Sequence, residues 1–414
     1  MQSSKATWAI FSVFFFESSV LGQWIPRIPD IKNTLGLSDG SLGLALLMMP
    51  LGTLVSFSIA GKLIEMTGLR NACRTFLPLW ALLFLGPALA TDFTQLAIAL
   101  VFSGFAVGMI ETAMNTEAAR IEKVAGKRLM SRCHGFWSLG TMFGALLGGG
   151  VAQYGLSVST HFLITMPVIA VCGYFAATAL PVLSRRTNKA AILNEERSVG
   201  EGLQVSGDDG GGEVVAEGQS ELFRLPSRAI VLLCMMPLGI MMVEGAFIDW
   251  SAVFMRDVLA AGPWVIAIAY SSFSLVMASV RLAGDRLATQ FGDLRIVQVS
   301  GLASCVGIVL FALAPTVPWA FLAAALSGAG VAIVFPLAVS AAANRPGGRP
   351  ADNVASLNMI SFSAFLVAPP LIGFMSEVFG LRIALLCLAP VAFMTFVLAG
   401  EVVTKKEPDS RSEA

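Results

Sequence analysis

The chain reads as an all-α membrane protein of twelve transmembrane helices in two six-helix bundles. Three observations lead there: a composition too apolar for a soluble domain, twelve windows long enough to cross a bilayer, and a one-sided distribution of Lys and Arg. Of 414 residues, 56% are hydrophobic and 13% charged, and the mean hydropathy is +0.77. Soluble domains carry roughly twice that charged fraction.

A span needs about 20 predominantly apolar residues, roughly 30 Å at 1.5 Å per residue. That window places spans at 6–25, 40–62, 72–91, 95–117, 134–155 and 162–183 in the first half. In the second half it places them at 229–253, 264–283, 296–314, 319–341, 356–375 and 382–401. The first window lacks the small-residue pattern of a cleavable signal, so it is kept as a span. The six cysteines are scattered singly, which argues against a disulfide framework or a zinc site.

With the N terminus inside, only Arg27, Lys32, Arg256 and Arg382 of the 27 basic residues fall on the outer side. The basic-inside bias therefore places both termini in the cytoplasm. Residues 1–183 and 229–404 form the two bundles. Residues 184–228 are polar, without apolar periodicity, and read as a flexible cytoplasmic linker. Its Gly210-Gly211-Gly212 run has no following Gly-Lys-Ser/Thr and is not a phosphate loop. Residues 405–414 read as a disordered tail.

The halves share a register. Ser103-Gly104 matches Ser327-Gly328 and Gly68 matches Gly292, each 224 residues on, and Tyr154-Gly155-Leu156 matches Phe379-Gly380-Leu381. Parallel six-span repeats are a transporter architecture with the substrate site between the repeats near mid-membrane.

Polar residues inside the spans mark that site, because they are expensive in lipid. Glu111 and Asn115 lie four residues apart in span 4 and so share a face. A buried carboxyl can load and release a proton, and a carboxamide can both donate to and accept from a hydroxyl. The competing reading is an interhelical hydrogen bond. Glu17 lies mid-way along span 1, with Gln23 and Trp24 beyond it. Trp24 is either an aromatic wall for a ring-shaped solute or an interfacial anchor. Span 7 carries Glu244 and Asp249, and Asp249 is placed to pair with Arg256. His134 opens span 5 as either a proton relay or a hydrogen-bonding edge residue. His161 falls in a short external loop. Glu17, Glu111, Glu244 and Asp249 show no embedded basic partner, which favours proton coupling or cationic cargo.

Gly61-Lys62-Leu63-Ile64-Glu65-Met66-Thr67-Gly68-Leu69-Arg70 resembles the signature loop of the major facilitator superfamily, with Met66 departing from its usual basic residue. Arg281-Leu282-Ala283-Gly284-Asp285-Arg286-Leu287, followed by Gly292, looks like its second copy. The resemblance implies a gating turn built by Gly61 and Gly68, with Glu65, Arg70, Asp285 and Arg286 able to latch neighbouring helices. Glu111-Thr112-Ala113-Met114-Asn115 is similar to a motif of the fucose-permease-like branch, where the matching Glu is implicated in proton coupling and sugar binding. His134-Gly135-Phe136-Trp137-Ser138-Leu139-Gly140 and Glu244-Gly245-Ala246-Phe247-Ile248-Asp249-Trp250-Ser251 resemble a bacterial subgroup that includes rhizopine transport proteins. Cargo of that kind would be a small polyhydroxylated solute: a sugar, polyol or cyclitol.

The stretch from Gly140 to Gly149 nearly matches a proton-drug antiporter motif, with Ala145 in place of its proline. Close helix packing through small residues is the alternative. The sequence thus points to a monomeric inner-membrane secondary transporter coupled to protons through Glu111. Its partners are a small solute, protons and the lipid bilayer. Two rivals stand beside that reading: proton-driven efflux of an amphipathic or cationic compound, and a membrane-embedded solute sensor. No Walker motif, metal cluster or catalytic constellation is present in the sequence, so neither an enzyme nor a cofactor is expected, and nothing points to nucleic acid.

Overall fold

The computed structural model describes residues 2–126, 129–181, 228–345 and 350–403. The expected linker (184–228, but for Arg228) and the tail (405–414) lie outside them. Twelve helices among the described residues are long and apolar enough to cross a membrane. They are α1 (Ser4–Thr34), α2 (Asp39–Thr67), α3 (Leu69–Leu89), α4 (Phe93–Ala125), α5 (Met130–Gln153) and α6 (Val158–Thr178). The second set is α7 (Ile230–Asp249), α8 (Pro263–Gly284), α9 (Asp293–Ala312), α10 (Val317–Ala343), α11 (Ser356–Phe379) and α12 (Leu381–Val402).

Local chemistry starts these helices where the backbone needs it. Three N-cap side chains accept a bond from a free N–H three residues on: Ser38 from Ser41, Asp92 from Gln95 and Ser157 from Thr160. Pro263 opens α8 at a position where its missing N–H costs nothing. Polar or amphipathic turns extend several helices beyond their apolar windows. Thus α1 continues to Thr34 through a 3₁₀ turn at Ile25–Arg27, and the helix of α8 runs on to Phe291.

That extension corrects the reading of the signature stretch. Residues Gly61 to Thr67 are helical, so Gly61 makes no turn, and the whole connection to α3 is Gly68 at φ 83° and ψ 148°. The second copy is helical too, through Asp285 and Arg286, and its turn is Gly292 at φ 79° and ψ 148°. The side chain of Asp285 lies outside the description. Glu65 and Arg286 are exposed, whereas Arg70 donates to the carbonyl of Thr178 and so ties the start of α3 to the end of α6.

Packing repeats with a period of six helices. In the first half α1 packs on α5, α2 on α4 and α3 on α6; in the second, α7 packs on α11, α8 on α10 and α9 on α12. The halves meet along two seams related by the same shift, α5 with α8 and α2 with α11. The small residues from Gly140 to Gly149 serve this packing. A Cβ on Gly144 would stand 2.4 Å from the carbonyl oxygen of Ser19, and one on Gly149 would meet Ala267 across the α5–α8 seam. Only residues without a side chain allow such approach.

Candidate functional site

The site lies where α1, α4 and α5 of the first half face α7 and α8 of the second. Glu17 of α1 is 2% exposed, the indole N–H of Trp137 on α5 is directed at its carboxylate, and its Oε2 has no protein partner. Trp80 fixes the backbone there, donating from Nε1 to the Glu17 carbonyl at 3.1 Å. Glu111 of α4 lies within electrostatic reach of Glu17, so two carboxyls of the first half converge. Asn115 follows one turn later and donates to the Glu111 carbonyl at 2.9 Å. No hydrogen bond from Asn115 to another helix is found among the described residues.

One turn past Trp137 on the same face, Thr141 carries the site across the seam. Its hydroxyl meets that of Ser274 on α8 at 2.8 Å. Tyr270, one turn from Ser274, is 1% exposed and lies beside Thr141, its hydroxyl without a partner in bonding geometry. Glu244, Asp249 and Arg281 all act electrostatically on Tyr270. Seven ionisable or aromatic residues from the two halves therefore follow one another by contact or electrostatic reach: Glu17, Glu111, Trp137, Tyr270, Glu244, Asp249 and Arg281.

The second half departs from the sequence reading at two carboxylates. Glu244 has an embedded partner after all: Arg281 approaches its Oε1 at 3.2 Å, with the two side chains 9% and 12% exposed. Arg281 falls at the end of the 264–283 window and at the start of the second signature copy; the helix continues through it, so its side chain can reach Glu244. Asp249 does not pair with Arg256, because Arg256 reaches across the halves to Asp30 instead.

Two other expectations change. Trp24 is 1% exposed and packs edge-on against Phe84 at 5.3 Å, within a cluster that includes Trp80 and Phe162. It belongs to the interior of the first half, and Trp137 is the indole at the carboxylates. His161 is no loop residue; it is fully buried in α6, with Nε2 2.9 Å from Oε1 of Gln23. His134 packs its ring edge-on against Phe14 at 5.6 Å and lies in electrostatic reach of Arg281; among the described residues no bond to α4 is found.

At one end of the bundle the halves are tied by charge. Lys32 bonds both Asp39 and Asp257 at 2.6 Å, Asp30 takes Arg27 and Arg256, Ser376 donates to Asp39, and the Gly40 N–H donates to Glu377 at 2.9 Å. At the Gly68 end no ion pair crosses between the halves among the described residues. This molecule is closed at the Lys32 end.

Comparison with known proteins fits this geometry. The family model described as Major Facilitator Superfamily matches residues 7–364. The chain belongs to the major facilitator superfamily. Among similar relatives is an uncharacterized transporter, y4wD of Sinorhizobium fredii, 29% identical over 93% of this chain and 95% of its own length. Another is membrane protein MosC of Rhizobium meliloti, 26% identical over 92% of this chain and 86% of its own. A crystal structure of a D-xylose-proton symporter shares the fold, with a TM-score of 0.71 at 12% identity, covering 96% of both chains. Family membership makes the chain a multi-pass membrane transporter of twelve apolar helices.

Three site residues escaped the reading of side-chain roles. Trp137 stands in the sequence as one residue of a motif, Arg281 at the end of a span, and Tyr270 within an apolar run. The available signal for Trp137 and Tyr270 was helical spacing: Trp137 is three residues from His134, and Tyr270 is eleven from Arg281.

Proposed function

We propose that this transporter carries a small polar solute, of the sugar, polyol or cyclitol kind, by alternating access between its halves. Proton movement is coupled through Glu111 with Glu17. The observation that carries the reading is the convergence of Glu17 and Glu111, with Trp137 on one of them and no basic residue paired to either among the described residues. Neighbouring carboxyls in a low-dielectric interior form a place to hold a proton, because two uncompensated charges side by side are costly. Trp137, Tyr270 and Asn115 supply an aromatic face and hydrogen-bonding groups of the kind that hold a hydroxylated ring.

The basic-inside bias supports an inner-membrane orientation with both termini in the cytoplasm and the Lys32 end outside. In that orientation the closed end is the external one. The chain acts as a monomer in this reading, because each seam joins halves of the same chain. Glycines 140 to 149 are consumed by packing on α1 and α8, so that stretch lends efflux no separate support.

The reading is tested by ligand-induced thermal shift of the purified transporter against hexoses, deoxyhexoses, inositols, amino-inositols and cationic drugs. A polyhydroxylated compound should raise Tm in the wild type and much less in Trp137→Phe and Tyr270→Phe. Stabilisation by the drugs alone would overturn the solute class.

A further inference from the structure

Two arginines of α3 stand on the flank of the first half without a carboxylate. Arg70 and Arg74 are four residues apart and share a face of α3, as Tyr174 and Thr178 share a face of α6. The two faces meet as a ladder of two rungs. Arg70 donates from Nη2 to the Thr178 carbonyl. Arg74 donates from Nη2 to the Tyr174 hydroxyl, and its guanidinium lies 5.0 Å from the centre of that ring. Among the described residues, Nε of each arginine is buried without a partner, while Nη1 of each bonds nothing and stays open. No ion pair reaches either arginine among those residues, whereas Arg27, Arg120, Arg256, Arg281 and Arg345 each face an acid.

Depth decides what can answer these charges. Arg70 is the second residue of α3, and Arg74 lies about 6 Å deeper at 1.5 Å per residue. Thr178 ends α6 at the same level. Toward mid-membrane the exposed residues beside this face are apolar: Leu82 on α3, and Val168, Val171 and Phe175 on α6. The arginines therefore sit where headgroups give way to hydrocarbon, the level at which long cationic side chains place their charge. Phosphate matches a guanidinium there, because its oxygens accept from two N–H groups at once.

The second half lacks the pair. At the offset of 224, Arg70, Arg74 and Tyr174 become Leu294, Gln298 and Leu398. The equivalent ends of α9 and α12 leave an open crevice of about 460 Å³, and its two charged residues, Asp293 and Arg295, cancel. Only the first half offers uncompensated positive charge at this level between these helices.

We propose that the Arg70–Arg74 flank is a binding site for one anionic phospholipid of the leaflet at the Gly68 end. The phosphate lies against the open N–H groups of the two guanidiniums, and the acyl chains run along Val168, Val171 and Phe175. Tyr174 holds the Arg74 guanidinium in place for it. The site is separate from the path between the halves and does not depend on the proposed cargo.

Native mass spectrometry of the full-length transporter, titrated in detergent with phosphatidylglycerol or phosphatidylcholine, tests this. Wild type should take up one phosphatidylglycerol about tenfold more tightly than phosphatidylcholine. Arg74→Gln should weaken phosphatidylglycerol by about fivefold and Arg70→Gln/Arg74→Gln by about twenty-five-fold, the factors for one and two arginines at an anionic lipid surface. Arg70→Lys/Arg74→Lys keeps both charges and should retain most of the affinity, which separates lost charge from lost fold. Arg295→Gln, at the equivalent place in the second half, should leave uptake unchanged. Glycerol phosphate, the headgroup without chains, should not compete.

Equal uptake of the two lipids by wild type, or wild-type uptake of phosphatidylglycerol by the double Gln variant, would overturn the proposal. So would loss of uptake in the Lys pair or in Arg295→Gln. Full competition by glycerol phosphate would assign the arginines to a soluble anion and overturn the lipid site.

Discussion

Glu17, Glu111 and Trp137 carry the argument at the residue scale. The two acids were legible because a charge in an apolar window stands out against its surroundings, and lipid makes it functional by default. Arg281 was hidden although the 264–283 window contains it, because the resemblance to a second signature loop begins at that residue. Trp24 and Trp137 look alike in sequence, and only packing shows that one faces Phe84 and the other the carboxylates. Replacing Trp137 by Phe keeps the ring and deletes the N–H aimed at Glu17. Solute affinity, read by titration calorimetry once a ligand is found, should fall by about fivefold, equivalent to roughly 1 kcal/mol for a hydrogen bond. Gly144→Ala makes a different prediction. Its Cβ would fall 2.4 Å from the Ser19 carbonyl oxygen, a backbone atom that cannot step aside. Overpacking of that kind costs about 1–3 kcal/mol, so Tm in detergent should drop while the solute profile of the surviving protein stays the same.

Whole elements show where hydropathy stops informing. The twelve spans were readable because their apolar runs exceed the bilayer's requirement. The helical turns beyond them were not, because an amphipathic turn outside lipid leaves no mark in an average. That is why Gly61 to Thr67 was read as loop, although its helix ends only at Gly68. Gly68 and Gly292 adopt φ near 80° with extended ψ, a conformation in which a β-carbon is strained. Alanine at either position should lower stability by about 1 kcal/mol or more, seen as a lower Tm with helix content unchanged by circular dichroism. The ion pairs at the Lys32 end were equally illegible, for their partners are more than two hundred residues apart. They are partly exposed, with side-chain exposures from 14% to 35% for Lys32 and Asp257 and near 22% for Arg256 and Asp30. Exposed pairs contribute at most about 1 kcal/mol each. Asp30→Asn should therefore shift the closed population by no more than about fivefold, read as faster maleimide labelling of a cysteine introduced at the buried position 255.

On the scale of the whole molecule, duplication is the feature that sequence and structure express together. Matching glycines at a common offset hinted at it, and the packing repeats six helices later with equivalent seams. The two-fold relation even acts on the closing charges: Asp30 and Arg256, 226 residues apart, occupy related places after spans 1 and 7 and bind each other. What duplication did not preserve is informative. Glu17 and Glu111 belong to the first half, and Arg281 with Glu244 to the second, so the halves contribute unlike chemistry to one polar path. Such division of labour suits a carrier in which one half handles protons while the other presents a paired charge. The central claim is that Glu111 couples protons to solute, and the most direct measurement is external pH around proteoliposomes when a stabilising solute is added. Wild type should alkalinise the medium on adding that solute, and Glu111→Gln should abolish the pH change while still exchanging labelled solute across the membrane. An undiminished pH change in Glu111→Gln, or solute-driven acidification in the wild type, would contradict it.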